Sequence, residues 1–153
     1  MKNLRLGFSP FGFIIVILQA IPNIVWALFP PSLNTLEGNA SSIPFIEYGE
    51  HILGVAIVVL LLLAVSREQG KTIPMNRYSK IAFLAIALYW CCWILYFCAY
   101  QPLSVIYAMV ILPPIAFFCA GLAEKVYPIS VVSVLFLLFH LAVAMKNFPI
   151  AGV

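Results

Sequence analysis

Five apolar blocks, each of about 20 residues, dominate the chain, and short clusters of proline, serine and charged residues separate them. A helix that crosses a bilayer needs about 20 mostly apolar residues at a rise of ~1.5 Å each. The pattern therefore predicts membrane helices over Phe11–Phe29, Pro44–Val65, Lys80–Tyr100, Leu103–Leu122 and Pro128–Met145. The breaks have physical causes. Phe29-Pro30-Pro31 stops the first span, because proline cannot continue the amide ladder. Ser41-Ser42 followed by Pro44 reads as a helix start, since serine caps free amides and proline is tolerated in the first turn. Gln101-Pro102 divides a long apolar stretch into a hairpin, and Tyr127-Pro128 opens the last span. The expected fold is all-α, a single integral membrane domain of residues 1–153 built as a bundle of about five helices.

Composition supports this class. Hydrophobic residues make up 65% of the 153 and charged residues only 8%, whereas a soluble domain carries roughly 25% charged residues. So few charges cannot cover a water-facing surface, so lipid is the expected outer solvent. The start of the chain, with Lys2, Arg5 and an apolar run from Phe11, imitates a secretory signal. The run continues past Trp26 without a small-residue cleavage site, so it is read as a retained first helix.

Charge sets the expected direction. With the N-terminus inside, Lys2, Arg5, Arg67, Lys71, Arg77, Lys80 and Lys125 all fall on the cytoplasmic side, and only Lys146 falls outside. The net charge of +3 is dispersed and does not alternate with aromatics, so nucleic acid is not an expected partner. The expected location is a cell membrane, the bacterial inner membrane in particular. Besides the lipid bilayer, a homo-oligomer or a membrane partner subunit remains open. Cys91, Cys92, Cys98 and Cys119 lie in apolar runs and have no redox or metal spacing, so they are read as small hydrophobes.

Ionisable and amide side chains inside spans are costly and mark candidate sites. The second span holds Glu47, Glu50 and His51. Its purely apolar part, Ile52 to Val65, is 14 residues long, roughly 21 Å and short of the ~30 Å hydrocarbon core. The helix must therefore draw these three residues toward its outer end. Spacings of three and four place Glu47 with Glu50 and His51 on one face, and Gly54 continues that face for a close helix approach. His140 lies about one turn from the outer end of the fifth span, at comparable depth. Helix-end solvation, a packing ion pair and a binding site for a proton, metal or polar ligand are the three readings of this group. The Glu47-to-His51 stretch matches no zinc-protease signature, so no metal is assigned and the cofactor is left open.

Gln19 and Asn23 share one face of the first span, and Pro22 between them leaves the carbonyl of Leu18 without its usual partner. Tyr89, Trp93, Tyr96 and Tyr100 form a stripe on the third span, and Pro113-Pro114 is expected to kink the fourth. Most of these polar residues fall in the outer half of the bundle. A water-accessible outward pocket between the first, second and fifth spans is the expectation, lined by Glu50, His51, His140, Glu47, Asn23 and Gln19. The leading reading is binding or transport of a small ligand, proton or cation. A non-catalytic subunit of a larger membrane complex is the alternative. A membrane-embedded enzyme on a lipid-like substrate is the third, with Glu50 and His51 as an acid–base pair, and no nucleophile motif supports it.

Ile21-Pro22-Asn23, Trp26, Phe29-Pro30-Pro31 and Ser41-Ser42-Ile43-Pro44, with His140 near the end, resemble a group of small multi-pass bacterial membrane proteins of no assigned function. That resemblance implies a membrane fold and no activity. Length and span number are also similar to the tryptophan-rich sensory or translocator family. Only Trp26, Trp90 and Trp93 are present, so nothing beyond size is carried over.

Overall fold

A computed structural model describes residues 4–39, 43–67 and 73–149. Lys2, Ser41, Ser42 and Lys71, used above for direction and for a helix start, lie outside them. The chain runs β1 (Leu4–Leu6), α1 (Pro10–Leu28), α2 (Pro44–Leu63), β2 (Ala64–Ser66), α3 (Arg77–Phe97), α4 (Leu103–Ala123) and α5 (Tyr127–Asn147). All five helices are long and apolar enough to cross a membrane, so the protein is an all-α bundle of multi-pass type.

The sequence does not announce the two strands. Leu4–Leu6 pairs antiparallel with Ala64–Ser66, Arg5 facing Val65. This ribbon draws residues 64 and 65 out of the second helix, which ends at Leu63 instead of Val65. It continues into Gly7 N–H to Leu63 O at 2.9 Å and Ser9 N–H to Leu62 O at 3.0 Å. The start of α1 is thereby laid against the end of α2.

Helix ends follow local chemistry. Ser9 caps α1 by accepting from the Gly12 amide at 2.8 Å. Asn76 and Ser79 form a reciprocal capping box, and α3 therefore begins at Arg77, one turn earlier than the apolar run indicates. The turn from α3 to α4 passes through Ala99 at φ 62°, and the turn from α4 to α5 through Lys125 at φ 57°. Both are left-handed residues, which let a helix stop abruptly. Pro113 and Pro114 lie inside a helix that continues unbroken from Leu103 to Ala123.

α4 is the centre of the bundle. Eleven of its residues are buried, against only Ile57 and Leu61 in α2. α3 and α5 flank α4, α2 packs on α5, and α1 bridges α2 and α3. The outer faces are apolar: Phe45, Ile52, Val55, Leu84, Val131 and Leu138 are all more than half exposed. Such a surface suits hydrocarbon and not water. Arg5, Arg67, Arg77, Lys80 and Lys125 gather at one end of the bundle, called the basic end below. The close approach expected at Gly54 falls one turn and a residue earlier. A Cβ on Gly54 would sit 3.5 Å from Phe136, an ordinary contact, whereas one on Gly49 would lie 2.3 Å from the Phe139 ring.

Candidate functional site

The proposed residues separate into three groups. Glu47 and His51 pair with each other across one turn of α2 at 3.1 Å, and the His51 side chain is 68% exposed on the bundle surface. Glu50 turns the other way. Its Oε1 lies 2.7 Å from His140 Nδ1 on α5, with both side chains largely buried. Gln19 and Asn23 lie on α1, where Asn23 donates to the Gln19 carbonyl and to the Tyr89 hydroxyl, each at 2.8 Å.

A partly open cavity of about 340 Å³ lies between α1, α3, α4 and α5. Gln19, Asn23 and His140 line it; Glu47, Glu50 and His51 do not, and α2 contributes no side chain. Glu50 therefore touches the cavity only through His140, whose ring also stacks on Phe136 at 5.1 Å between centroids. Breaking one half of a buried pair strands the other half in a poor solvent. Glu50→Gln is expected to lower stability by roughly 1–2 kcal/mol. A double-mutant cycle with His140→Asn, read by thermal unfolding in detergent, should recover about 1 kcal/mol of coupling. Additive single effects would mean that the two side chains do not interact.

The tyrosine stripe divides by depth. Tyr89, Trp93 and Tyr96 are buried and face inward, while Tyr100 is exposed. Tyr96 donates to Asn34 Oδ1 at 2.7 Å and accepts from the Leu36 amide at 3.0 Å. Trp26 donates to the same Asn34 oxygen at 2.9 Å. Gln101 adds a bond to the Leu33 carbonyl at 2.7 Å. Residues 33–39 are thus pinned across the end of the bundle far from the basic residues, and Leu36 and Asn39 reach the cavity wall. Asn34 carries no signal in the sequence, because a lone asparagine in a polar loop looks like ordinary turn chemistry.

The prolines shape the walls. The Leu18 carbonyl, released by Pro22, accepts from the Trp90 indole at 2.8 Å, so protein satisfies it as the membrane setting requires. Pro113 and Pro114 likewise withhold amide hydrogens from the carbonyls of Met109 and Val110. Met109, Val110 and Pro113 all line the cavity.

Buried polar atoms normally find partners, and leaving one unpaired costs roughly 1–3 kcal/mol. Among the described residues, four buried side-chain atoms lack one: both amide atoms of Gln19, the indole nitrogen of Trp93 and Oε2 of Glu124. Gln19 and Trp93 belong to the cavity lining. Among the described residues no three His, Cys, Asp or Glu side chains converge as a metal-ligand set.

Glu124 lies at the opposite, basic end. It is 7% exposed and accepts from Ser9 Oγ at 2.5 Å. Burial pushes its carboxyl up to about 7, against a smaller lowering effect of the Ser9 bond. Asn76 donates to the neighbouring Ala123 carbonyl at 3.0 Å, so the starts of α1 and α3 are both tied to the end of α4. In the sequence Glu124 reads as a span boundary beside Lys125, which hides it. Comparison with protein-family models, curated proteins and solved structures finds no match for this chain.

Proposed function

We propose that this membrane protein binds a small organic ligand in the cavity between α1, α3, α4 and α5, as a binding or transport protein. The observation that carries the reading is a partly open cavity of about 340 Å³ lined mostly by apolar and aromatic side chains. Binding pockets are concave and largely apolar, with a few polar groups that fix orientation. Between them, Gln19, Asn23, Tyr89 and His140 supply that polar minority. With the basic end at the cytoplasmic face, the cavity opens outward beneath residues 33–39. Among the described residues no carboxylate lines it, which favours an organic ligand over a cation.

Accessibility tests the reading. In a variant with the four native cysteines replaced by alanine, Asn23→Cys is expected to react with a membrane-impermeant maleimide added to the outside of intact cells. Glu37→Cys, exposed on the loop, serves as the positive control, and Ala82→Cys, buried in the bundle, as the negative one. Failure of Asn23→Cys to react while Glu37→Cys does would close the cavity to ligand and sink the proposal.

A further inference from the structure

Residues 33–39 belong to the connection between α1 and α2, yet their anchors come from every side of the cavity wall. On α1, the Trp26 indole donates to Asn34 Oδ1 at 2.9 Å. On α3, the Tyr96 hydroxyl donates to the same oxygen at 2.7 Å and accepts from the Leu36 amide at 3.0 Å. In the turn before α4, Gln101 accepts from the Thr35 hydroxyl at 2.9 Å and donates to the Leu33 carbonyl at 2.7 Å. At the end of α5, Asn147 donates to Asn39 Oδ1. A connection from α1 to α2 has no need to reach α3 and α5.

The segment is also a body of its own. Glu37 N–H to Asn34 O at 3.2 Å and Asn39 N–H to Leu36 O at 3.1 Å close two successive turns. Gly38 supplies the left-handed residue between them, at φ 73°. With its turns closed internally, the segment is positioned by its anchors. On its inner side Leu36 packs on the buried cluster that holds Trp93, Tyr96 and Ile106. Leu36 and Asn39 complete the outer end of the cavity wall.

Asn34 is the anchor that matters most. A carbonyl oxygen has two lone pairs, and this one serves both Trp26 and Tyr96. The Thr35–Gln101 bond is exposed, so water replaces it at little cost. Tyr96 is 0% exposed, so its hydroxyl has no such substitute while the segment is seated.

On the premise that the cavity binds a ligand, we propose that residues 33–39 are its outer lid, latched at Asn34, and that release of the Trp26 and Tyr96 bonds sets the rate of access from the aqueous side. Ile106 is 1% exposed and lines the cavity beside Leu36. In the full-length chain without native cysteines, purified in detergent, the rate at which maleimide modifies Ile106→Cys reads the lid. Asn34→Ala is expected to raise that rate at least about tenfold, because both donors lose their acceptor. Asn34→Asp keeps an acceptor oxygen for both and should stay within about threefold of the parent. Ala82→Cys, 0% exposed and toward the basic end, should remain unreactive throughout. Equal Ile106→Cys rates in parent and Asn34→Ala, a rise that Ala82→Cys shares, or a rate in Asn34→Asp as high as in Asn34→Ala overturns the lid. Should Asn34→Ala not fold, Leu36→Ala removes the apolar plug and is expected to raise the Ile106→Cys rate about fivefold or more; an unchanged rate there overturns it equally. If the lid fails while Asn23→Cys still reacts from outside, the cavity reading stands. If Asn23→Cys stays unreactive even with Asn34→Ala, both fall.

Discussion

Gly12→Ala is expected to destabilise the protein by about 3 kcal/mol or more, and Gly54→Ala to leave it unchanged or slightly more stable. Both glycines lie inside helices, where alanine is intrinsically better by up to about 1 kcal/mol. Their surroundings reverse the sign at Gly12. A Cβ there would stand 1.8 Å from the Leu61 carbonyl oxygen and 2.6 Å from its carbon. Those atoms are backbone near the end of α2 and cannot rotate aside. Relief requires α1 to lift off α2, and that movement pulls on the Gly7–Leu63 and Ser9–Leu62 hydrogen bonds and on the bond from Ser9 to Glu124. The cost therefore combines overpacking with loss of a hydrogen-bonded joint. Thermal unfolding of both variants in one detergent measures it. A Gly12→Ala protein as stable as the parent would mean that α1 and α2 do not approach as described.

Stability is expected to fall by up to about 3 kcal/mol between pH 4.5 and about 7.5, and Glu124→Gln to remove most of that dependence. The carboxyl of Glu124 is raised by burial from its ordinary 4.5 to about 7. In the unfolded chain it ionises near 4.5; in the folded chain it holds its proton until near 7. Below the lower value both states are protonated and the contribution is fully present. As pH rises through the window, the unfolded state gains from ionisation first, and the folded state loses its advantage. The shift of about 2.5 units corresponds to about 3 kcal/mol, roughly 6–12 °C in melting temperature for a chain of this size. Melting curves at pH 5 and pH 8 for parent and Glu124→Gln test it, with the variant more stable at pH 8. Parallel pH dependence in both proteins would assign the effect to other groups.

The spans were legible because twenty apolar residues in a row have one dominant use, and proline pairs mark where they stop. Their exact ends were not. The second span runs short because residues 64–66 pair with 4–6, and three-residue strands carry too little alternation to read. The third begins early because the Asn76–Ser79 box overrides the position of the apolar run. At the candidate site, Gln19, Asn23 and His140 stood out as polar groups in apolar surroundings, and all three line the cavity. Helical spacing put Glu47, Glu50 and His51 on one face, yet a helix face is wide enough to point Glu50 at α5 and leave His51 exposed. Which helix neighbours which cannot be read from spacing within one helix. That is why the cavity was placed against α2 when α3 and α4 form its walls. Trp93 looked like packing material until its indole nitrogen proved unpartnered.

The way α1 is fastened has a mechanical consequence. At one end it is held by the ribbon and by Ser9; at the other, Trp26 is bonded to Asn34. Midway, Pro22 removes one rung of its own ladder and a Trp90 indole takes the vacated carbonyl. A rod clamped at both ends and thinned near its middle bows outward; it does not swing. Any widening of the cavity beside α1 would then come from the middle of the helix, with its two ends held in place.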